Sequence, residues 1–188
     1  MGEQPVLPQH PSTHLELRDL TPDDGPVLDA VVADLSPYSR YLRFHTGMPR
    51  LPATVRRGLL CLDGRDRIAI VAAVATAVGD QPVGIAHLAR TSPGRAEVAI
   101  VVVEGWRRAG AGRRLLAELA LRARSLGIDE LTGIVLPENR AMVGLIRHLS
   151  PAARFRLDAR VLEVRCPLDE RAVEVVTHLS RATAPARG

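Results

Sequence analysis

The chain has 188 residues, 46% of them apolar, 24% charged and only 3% aromatic. This suits one domain with a real core, since a chain of this size hides roughly 70% of its unfolded surface, and it excludes disordered, collagen-like and low-complexity classes. The formal net charge is +4 with 25 basic side chains, all arginine, so every basic contact is a planar fork suited to phosphate or carboxylate and an anionic partner is expected.

In chain order, residues 1–13 read as a flexible lead with no basic region followed by an apolar stretch, so no signal peptide is expected. From His14 the alternation of HLELRDL predicts a first strand. Thr21-Pro-Asp-Asp reads as a helix start, continued at helical spacing by Val27, Leu28, Val31, Val32 and Leu35. Ser36-Pro37 opens a second helix through Arg40, Tyr41 and Phe44, ended by Gly47 and Pro49. A short helix is expected over Pro52 to Leu62. The period then changes. Arg67 to Ala77, Val83 to Arg90 and Arg95 to Val103 are rich in β-branched residues and separated by short turns, which predicts an antiparallel meander. Gly112 to Leu126 reads as a helix stopped by Gly127, Leu131 to Leu136 as a strand, and Glu138 to Leu149 as a helix. Arg154 to Arg165 gives two short strands, and Leu168 to Arg181 a last helix before a small-residue tail. The class is α+β, a largely antiparallel sheet flanked by helices. No apolar stretch approaches the about 20 residues of a membrane span. A soluble, cytoplasmic protein is expected. Two cysteines, Cys61 and Cys166, make no disulfide framework, and without zinc-type spacing no metal is assigned.

The chemistry concentrates in RAEVAIVVVEGWRRAGAGRRLL, Arg95 to Leu116. A β-branched strand runs through a turn into Arg107-x-x-Gly110-x-Gly112 and then into a helix. Without side chains at Gly110 and Gly112, backbone N–H groups from Arg107 to Arg113, through Ala109 and Ala111, can converge on an anion at a helix N-terminus. Arg107, Arg108, Arg113 and Arg114 add positive charge. This is a pyrophosphate cradle. It is not a Walker loop, which needs GxxxxGK, nor the dinucleotide fingerprint, whose third glycine is replaced by Leu115.

The stretch resembles motif A of the GNAT superfamily of N-acetyltransferases, Q/R-x-x-G-x-G/A, filled here by Arg107, Gly110 and Gly112. Asn139, Met142 and Leu145 match the later motif N-x-x-A/M-x-x-L, and the element order from His14 to Leu168 also matches. LSPYSRYLRF, Leu35 to Phe44, is similar to the GNAT domains of bacterial protein lysine acetyltransferases, the type that modifies acyl-CoA synthetases. The resemblance implies a GNAT domain over 14–167 with a C-terminal helix and tail over 168–188, and a mixed sheet splayed between its fourth and fifth strands. It implies acetyl-CoA as acyl donor and an amine acceptor, most simply a protein lysine, in a ternary complex. Full-length lysine acetyltransferases often carry a cyclic-nucleotide or synthetase-like regulatory domain, for which 188 residues leave no room, so direct cAMP control is not expected.

A primary ammonium, with a pKa near 10.4, must lose a proton before it attacks a thioester, and a carboxylate in the cleft accepts it. The resemblance places that base at Glu97. It implies an oxyanion site in the backbone N–H groups of Val101, Val102 and Val103, and a cofactor-side role for Asn139. The chain departs from the pattern at Ile146, where many relatives carry a tyrosine acid, and at Ser150-Pro151, in place of Gly-Phe. No tyrosine acid is therefore assigned, and water can protonate the leaving thiolate. Trp106 reads as an apolar plug, His87 as core or edge, and Arg122 and Arg124 as a solvated helix face.

Two other readings remain open at this stage. One is a small-molecule amine acceptor, for which Asp23, Asp24, Asp29 and Asp34 would line an acidic cleft. The other is a non-catalytic acyl-CoA-binding module docking through its last helix. A nucleic-acid role is not expected with five aromatic residues and no helix-turn-helix signature. The oligomeric state is open between monomer and homodimer.

Overall fold

The computed structural model describes residues 15–45 and 48–181. The expected lead over 1–13, the helix stop at Gly47 and the end of the tail lie outside the described residues.

One seven-stranded sheet organises the chain. Its strands are β1 (Leu15–Asp19), β2 (Arg67–Thr76), β3 (Gly79–Ser92), β4 (Arg95–Val102), β5 (Glu130–Val135), β6 (Arg154–Asp158) and β7 (Val161–Pro167), in the spatial order β1-β2-β3-β4-β5-β7-β6. Every neighbouring pair is antiparallel except β4 and β5, which run parallel. That one parallel step requires a crossover, supplied by α4 (Ala111–Ser125).

Period-two alternation gives the two faces of the sheet. On one face Ala69, Val71 and Ile85 pack against Leu28, Val31 and Val32 of α1 (Gly25–Ala33), with Phe44 of α2 (Pro37–Phe44) and Leu59 of α3 (Ala53–Leu59) at the margin. On the other, Ile70, Leu88, Ile100 and Leu131 pack against α4, whose Leu115, Leu116, Leu119, Ala120 and Ala123 are buried, with α5 (Arg140–Leu149) and α6 (Glu170–Arg181) beside it. Trp106 packs against this second core as an apolar plug.

The first helix starts later than its sequence predicts. Thr21 is not its cap; the Thr21 N–H and hydroxyl both donate to Asp24 Oδ2, at 2.8 and 2.9 Å, forming a turn. The helix begins at Gly25, where Pro26 fits the first turn. Asp24 is further held by Arg18, at 2.8 Å. The second helix ends at His45, in the left-handed region with φ 55°. The last helix, to which only the non-catalytic alternative gave a docking role, buries Ala172 and Val176. Among the described residues no helix is long and apolar enough to cross a membrane.

Candidate active site

The β4–β5 pairing lasts only three residues, Arg95 with Glu130, Ala96 with Leu131 and Glu97 with Thr132. The Arg95–Glu130 ion pair, 2.8 Å, and the Asp129 N–H donating to Gly94 O, 2.9 Å, pin its start. Beyond Glu97 the strands separate, as β4 stays with β3 and β5 with β7. Gly133 sits where they part; a Cβ there would lie 3.2 Å from Val98 O.

A cleft of about 250 Å³ passes through the sheet at this gap. Arg43, His45 and Glu97 line it on the α2 side; Asn139, Met142 and Ile146 line it on the α5 side. The side chain of Glu97 shares a face with Val101 and Val103, which pack on the α1–α3 core. Sequence spacing therefore sets the catalytic candidate on one side of the sheet and the proposed phosphate turn at the end of the same strand.

The inner edge of β4 carries unpaired backbone donors. Val103 N–H donates to Val83 O at 2.9 Å, so the odd-numbered amides of this strand face β3. The even-numbered groups face β5, as in the seam, where Thr132 Oγ1 donates to Ala96 O at 3.2 Å, and beyond the seam they face the gap. Of the three amides expected to meet an oxyanion, Val102 faces the gap, and Val101 and Val103 face β3. Ile100 joins Val102 on the open side, a parity that needs the observed register.

The turn from Arg107 to Gly112 has the geometry of an anion nest. Arg108 (φ 62°) and Gly110 (φ 89°) are both left-handed, which points successive N–H groups inward. Gly110 caps α4 with no side-chain hydrogen bond, leaving the first-turn donors for another acceptor. A Cβ at Gly110 would meet nothing within 4 Å, and one at Gly112 only Val102 Cγ2 and Leu145 Cδ2, at 3.6 and 3.7 Å. The backbone is therefore open to approach at both glycines. Arg108 and Arg113 are exposed beside it, with Ala109 exposed and Ala111 buried. The Arg107 side chain turns the other way: its Nη2 donates to Ser39 Oγ at 2.6 Å and its Nε to Val102 O at 3.3 Å. Asn139 caps α5, its Oδ1 accepting from Met142 N–H at 3.2 Å.

A polar cluster absent from the sequence reading joins this turn to α2. Ser36 and Ser39 hydroxyls donate to the Glu104 carboxylate, which also accepts from Ser36 N–H at 3.2 Å. Burial would raise the Glu104 carboxyl; the serine hydrogen bonds outweigh it and hold the group below its ordinary value.

Two other groups narrow the chemistry. Cys166 lines the cleft, and burial pushes its thiol up to about 11, so at neutral pH it is protonated and a poor nucleophile. His87 is neutral: burial, reinforced by the Arg43 charge, pushes it down to about 3. Ile146, at the expected tyrosine position, is buried. Both tyrosines, Tyr38 and Tyr41, are exposed on α2. Asp23, Asp24, Asp29 and Asp34 do not line the cleft; Asp29 pairs with Arg56 at 2.9 Å.

The family model for the acetyltransferase (GNAT) family matches residues 30–150. The fold is similar to the GNAT domain of S. lividans PAT, with 25% identity, a TM-score of 0.71, and coverage of 80% of this chain and 89% of that one. It is also similar to the ribosomal-protein-alanine N-acetyltransferase of Brucella melitensis, at 23% identity and TM-score 0.62 over 81% and 99% of the two chains. A third likeness, to a cAMP-binding acyltransferase from Mycobacterium smegmatis, has 23% identity and TM-score 0.55 over 90% of this chain and 50% of that one. With the splayed mixed sheet, the open α4 nest and a family match over most of the domain, the chain belongs to the GNAT acetyltransferase family, whose members transfer an acetyl group from acetyl-CoA to an amine.

Proposed function

We propose that the acceptor is the side chain of a protein lysine and that Glu97 is the general base. The observation that carries this reading is the cleft itself. It opens to Glu97 beneath α2 on one face of the sheet and, through the splay, reaches the β4–α4 side on the other. An amine entering from the α2 side meets Glu97, which takes its proton; the amine nitrogen then forms the new bond to the acetyl carbon as the carbon–sulfur bond breaks. The N–H groups of Ile100 and Val102 face the position where the oxyanion develops. The N–H groups of Ala111, Gly112 and Arg113, with the Arg108 and Arg113 side chains, hold the pyrophosphate, and Asn139 orders α5 against the pantetheine arm. The sulfur leaves as a thiolate and takes its proton from water. Direct transfer fits the protonated Cys166, which offers no ready nucleophile for an acyl-enzyme.

The lysine assignment is supported by Leu35 to Phe44, the segment that resembles the protein lysine acetyltransferases. It forms α2, at the acceptor mouth. The four aspartates that would have favoured a polycationic small amine lie outside the cleft. The test is mass spectrometry of products from acetyl-CoA, with lysate proteins, a purified acyl-CoA synthetase and a panel of small amines in parallel. Acetyllysine on proteins is the expected result. Acetylation confined to the small amines overturns the lysine assignment.

A further inference from the structure

The α2 side of the cleft holds a cation that has no ion-pair partner among the described residues. Arg43 lies in the last turn of α2 and lines the cleft on the same side of the sheet as Glu97. Its guanidinium lies over the Phe44 ring, 4.8 Å from the centroid, which restrains its orientation. Among the described residues it makes no ion pair and no hydrogen bond; Glu97 is close enough to favour its charge without contacting it. The other ionisable groups around it are His45, also lining the cleft, and the neutral His87.

Burial lowers the Arg43 pKa to about 10, opposed by Glu97, so the group keeps its full charge at neutral pH. Arg43 is half-buried, and a charge partly withdrawn from water without a partner favours a ligand that supplies one. Other arginines near the site have internal acceptors: Arg40 donates to Leu35 O at 2.6 Å and Arg107 to Ser39. Arg43 alone of these three turns a free fork to the cleft, a fork whose geometry matches a carboxylate.

We infer that Arg43 is the recognition site for a carboxylate carried by the acceptor beside the amine that Glu97 serves. The acceptor is then dipolar, with its ammonium directed to Glu97 and its carboxylate to Arg43. The carboxylate has two chemical sources, an acidic side chain next to a lysine in a polypeptide, or the α-carboxylate of a free amino acid. The inference rests on the amine-transfer reading above for the position of the amine, and is tested separately from it.

The experiment uses two matched pairs of acceptors: a lysine peptide flanked by aspartate against its asparagine counterpart, and free glutamate against glutamate α-amide. For each, binding to the protein is measured by calorimetry in the presence of CoA, and transfer from acetyl-CoA by product formation. The carboxylate member of one pair should bind about 10–100-fold more tightly, the range of a charge-assisted hydrogen bond. Which pair shows it identifies the source. R43Q should collapse that ratio toward one, acting on acceptor KM rather than on acetyl-CoA affinity, and R43K, which keeps the charge without the fork, should restore part of it. Equal binding within both pairs for the wild type overturns the inference whether or not R43Q folds. So does an R43Q variant that weakens both members of a pair equally. A carboxylate preference in binding with no transfer to any acceptor sustains the Arg43 site and overturns the transfer reading. Transfer without preference does the reverse.

Discussion

Arg107 Nη2 reaches Ser39 Oγ at 2.6 Å, across 68 residues of sequence, and so ties the turn before α4 to the helix that lines the cleft. Ser39 is only 1% exposed, in a helix that otherwise exposes Tyr38 and Tyr41. Glu104 completes the tie by accepting from Ser36 and Ser39. Its carboxylate has a depressed pKa, so its contribution to stability is present above the unfolded carboxyl value and lost as pH falls through the folded one. Glu104→Gln removes charge-assisted bonds worth about 1–3 kcal/mol. A Tm lower by roughly 2–12 °C is expected at pH 7, from about 2–4 °C per kcal/mol for a chain of this size. The gap between variant and wild type should narrow below pH 4. An unchanged Tm at pH 7 would show that the cluster does not hold α2.

Gly112→Asp tests the nest. A Cβ there meets only ordinary contacts, so the fold should survive. The carboxylate would stand where phosphate is proposed to sit, and the expected loss of CoA affinity is at least about 100-fold, roughly 2.8 kcal/mol. Calorimetry beside a circular dichroism spectrum checks it. Unchanged affinity in a folded variant removes the nest from the site.

Arg108 and Arg113 are exposed, so their contribution to phosphate binding should be screened by salt. CoA affinity should fall as ionic strength rises from 0.05 to about 0.5 M. In R108Q/R113Q the dependence should be shallower. A flat wild-type profile would leave the backbone donors as the whole of the phosphate site.

Glu97→Gln keeps the shape of the side chain but cannot accept the amine proton. Turnover at pH 7 should drop roughly 10²–10⁴-fold, with CoA affinity retained because Glu97 lines the cleft on the α2 side, proposed for the acceptor. Turnover of the variant should rise with pH as the solution supplies more free amine. Near-normal turnover at pH 7 would take the base role from Glu97.

His87 supplies a pH prediction for stability. Its pKa is about 3 in the folded protein against about 6.5 in an unfolded chain, so between these values the unfolded state binds the extra proton. Its contribution is fully present above pH 6.5 and declines by about 1.4 kcal/mol per pH unit below it. Chemical denaturation at pH 7 and pH 5 should show a loss of about 2 kcal/mol that His87→Asn reduces. Equal losses in variant and wild type would assign the change to other groups.

Much of this molecule was legible in its sequence for local reasons. β2 to β4 are β-branched runs between short turns, and α4 follows a glycine turn whose left-handed conformation at Gly110 needs that residue. The splay was known only through family resemblance, because the three-residue β4–β5 seam depends on a crossover that no local period encodes. The Ser36–Ser39–Glu104–Arg107 cluster and the exposure of Arg43 to the cleft were missed for a similar reason. Each sets α2 against β4 or the turn after it, more than 50 residues away. The side-chain direction of Arg107 was also out of reach, since a motif position fixes the backbone of a turn and says little about where a long flexible side chain will find its acceptor.

The seam has a consequence for how the sheet meets its surroundings. Sheet edges are ordinarily outside a protein, where they invite pairing with other chains and must be defended. Here β4 has an edge within the molecule, from Val98 to Val102, facing β5 across the cleft. Another protein's strand, with side chains on both faces, cannot slide into a cleft of about 250 Å³ walled by α2 and α5. The interior edge is thus kept from pairing with other chains by its confinement, and among the described residues β1 and β6 are the edges left at the periphery.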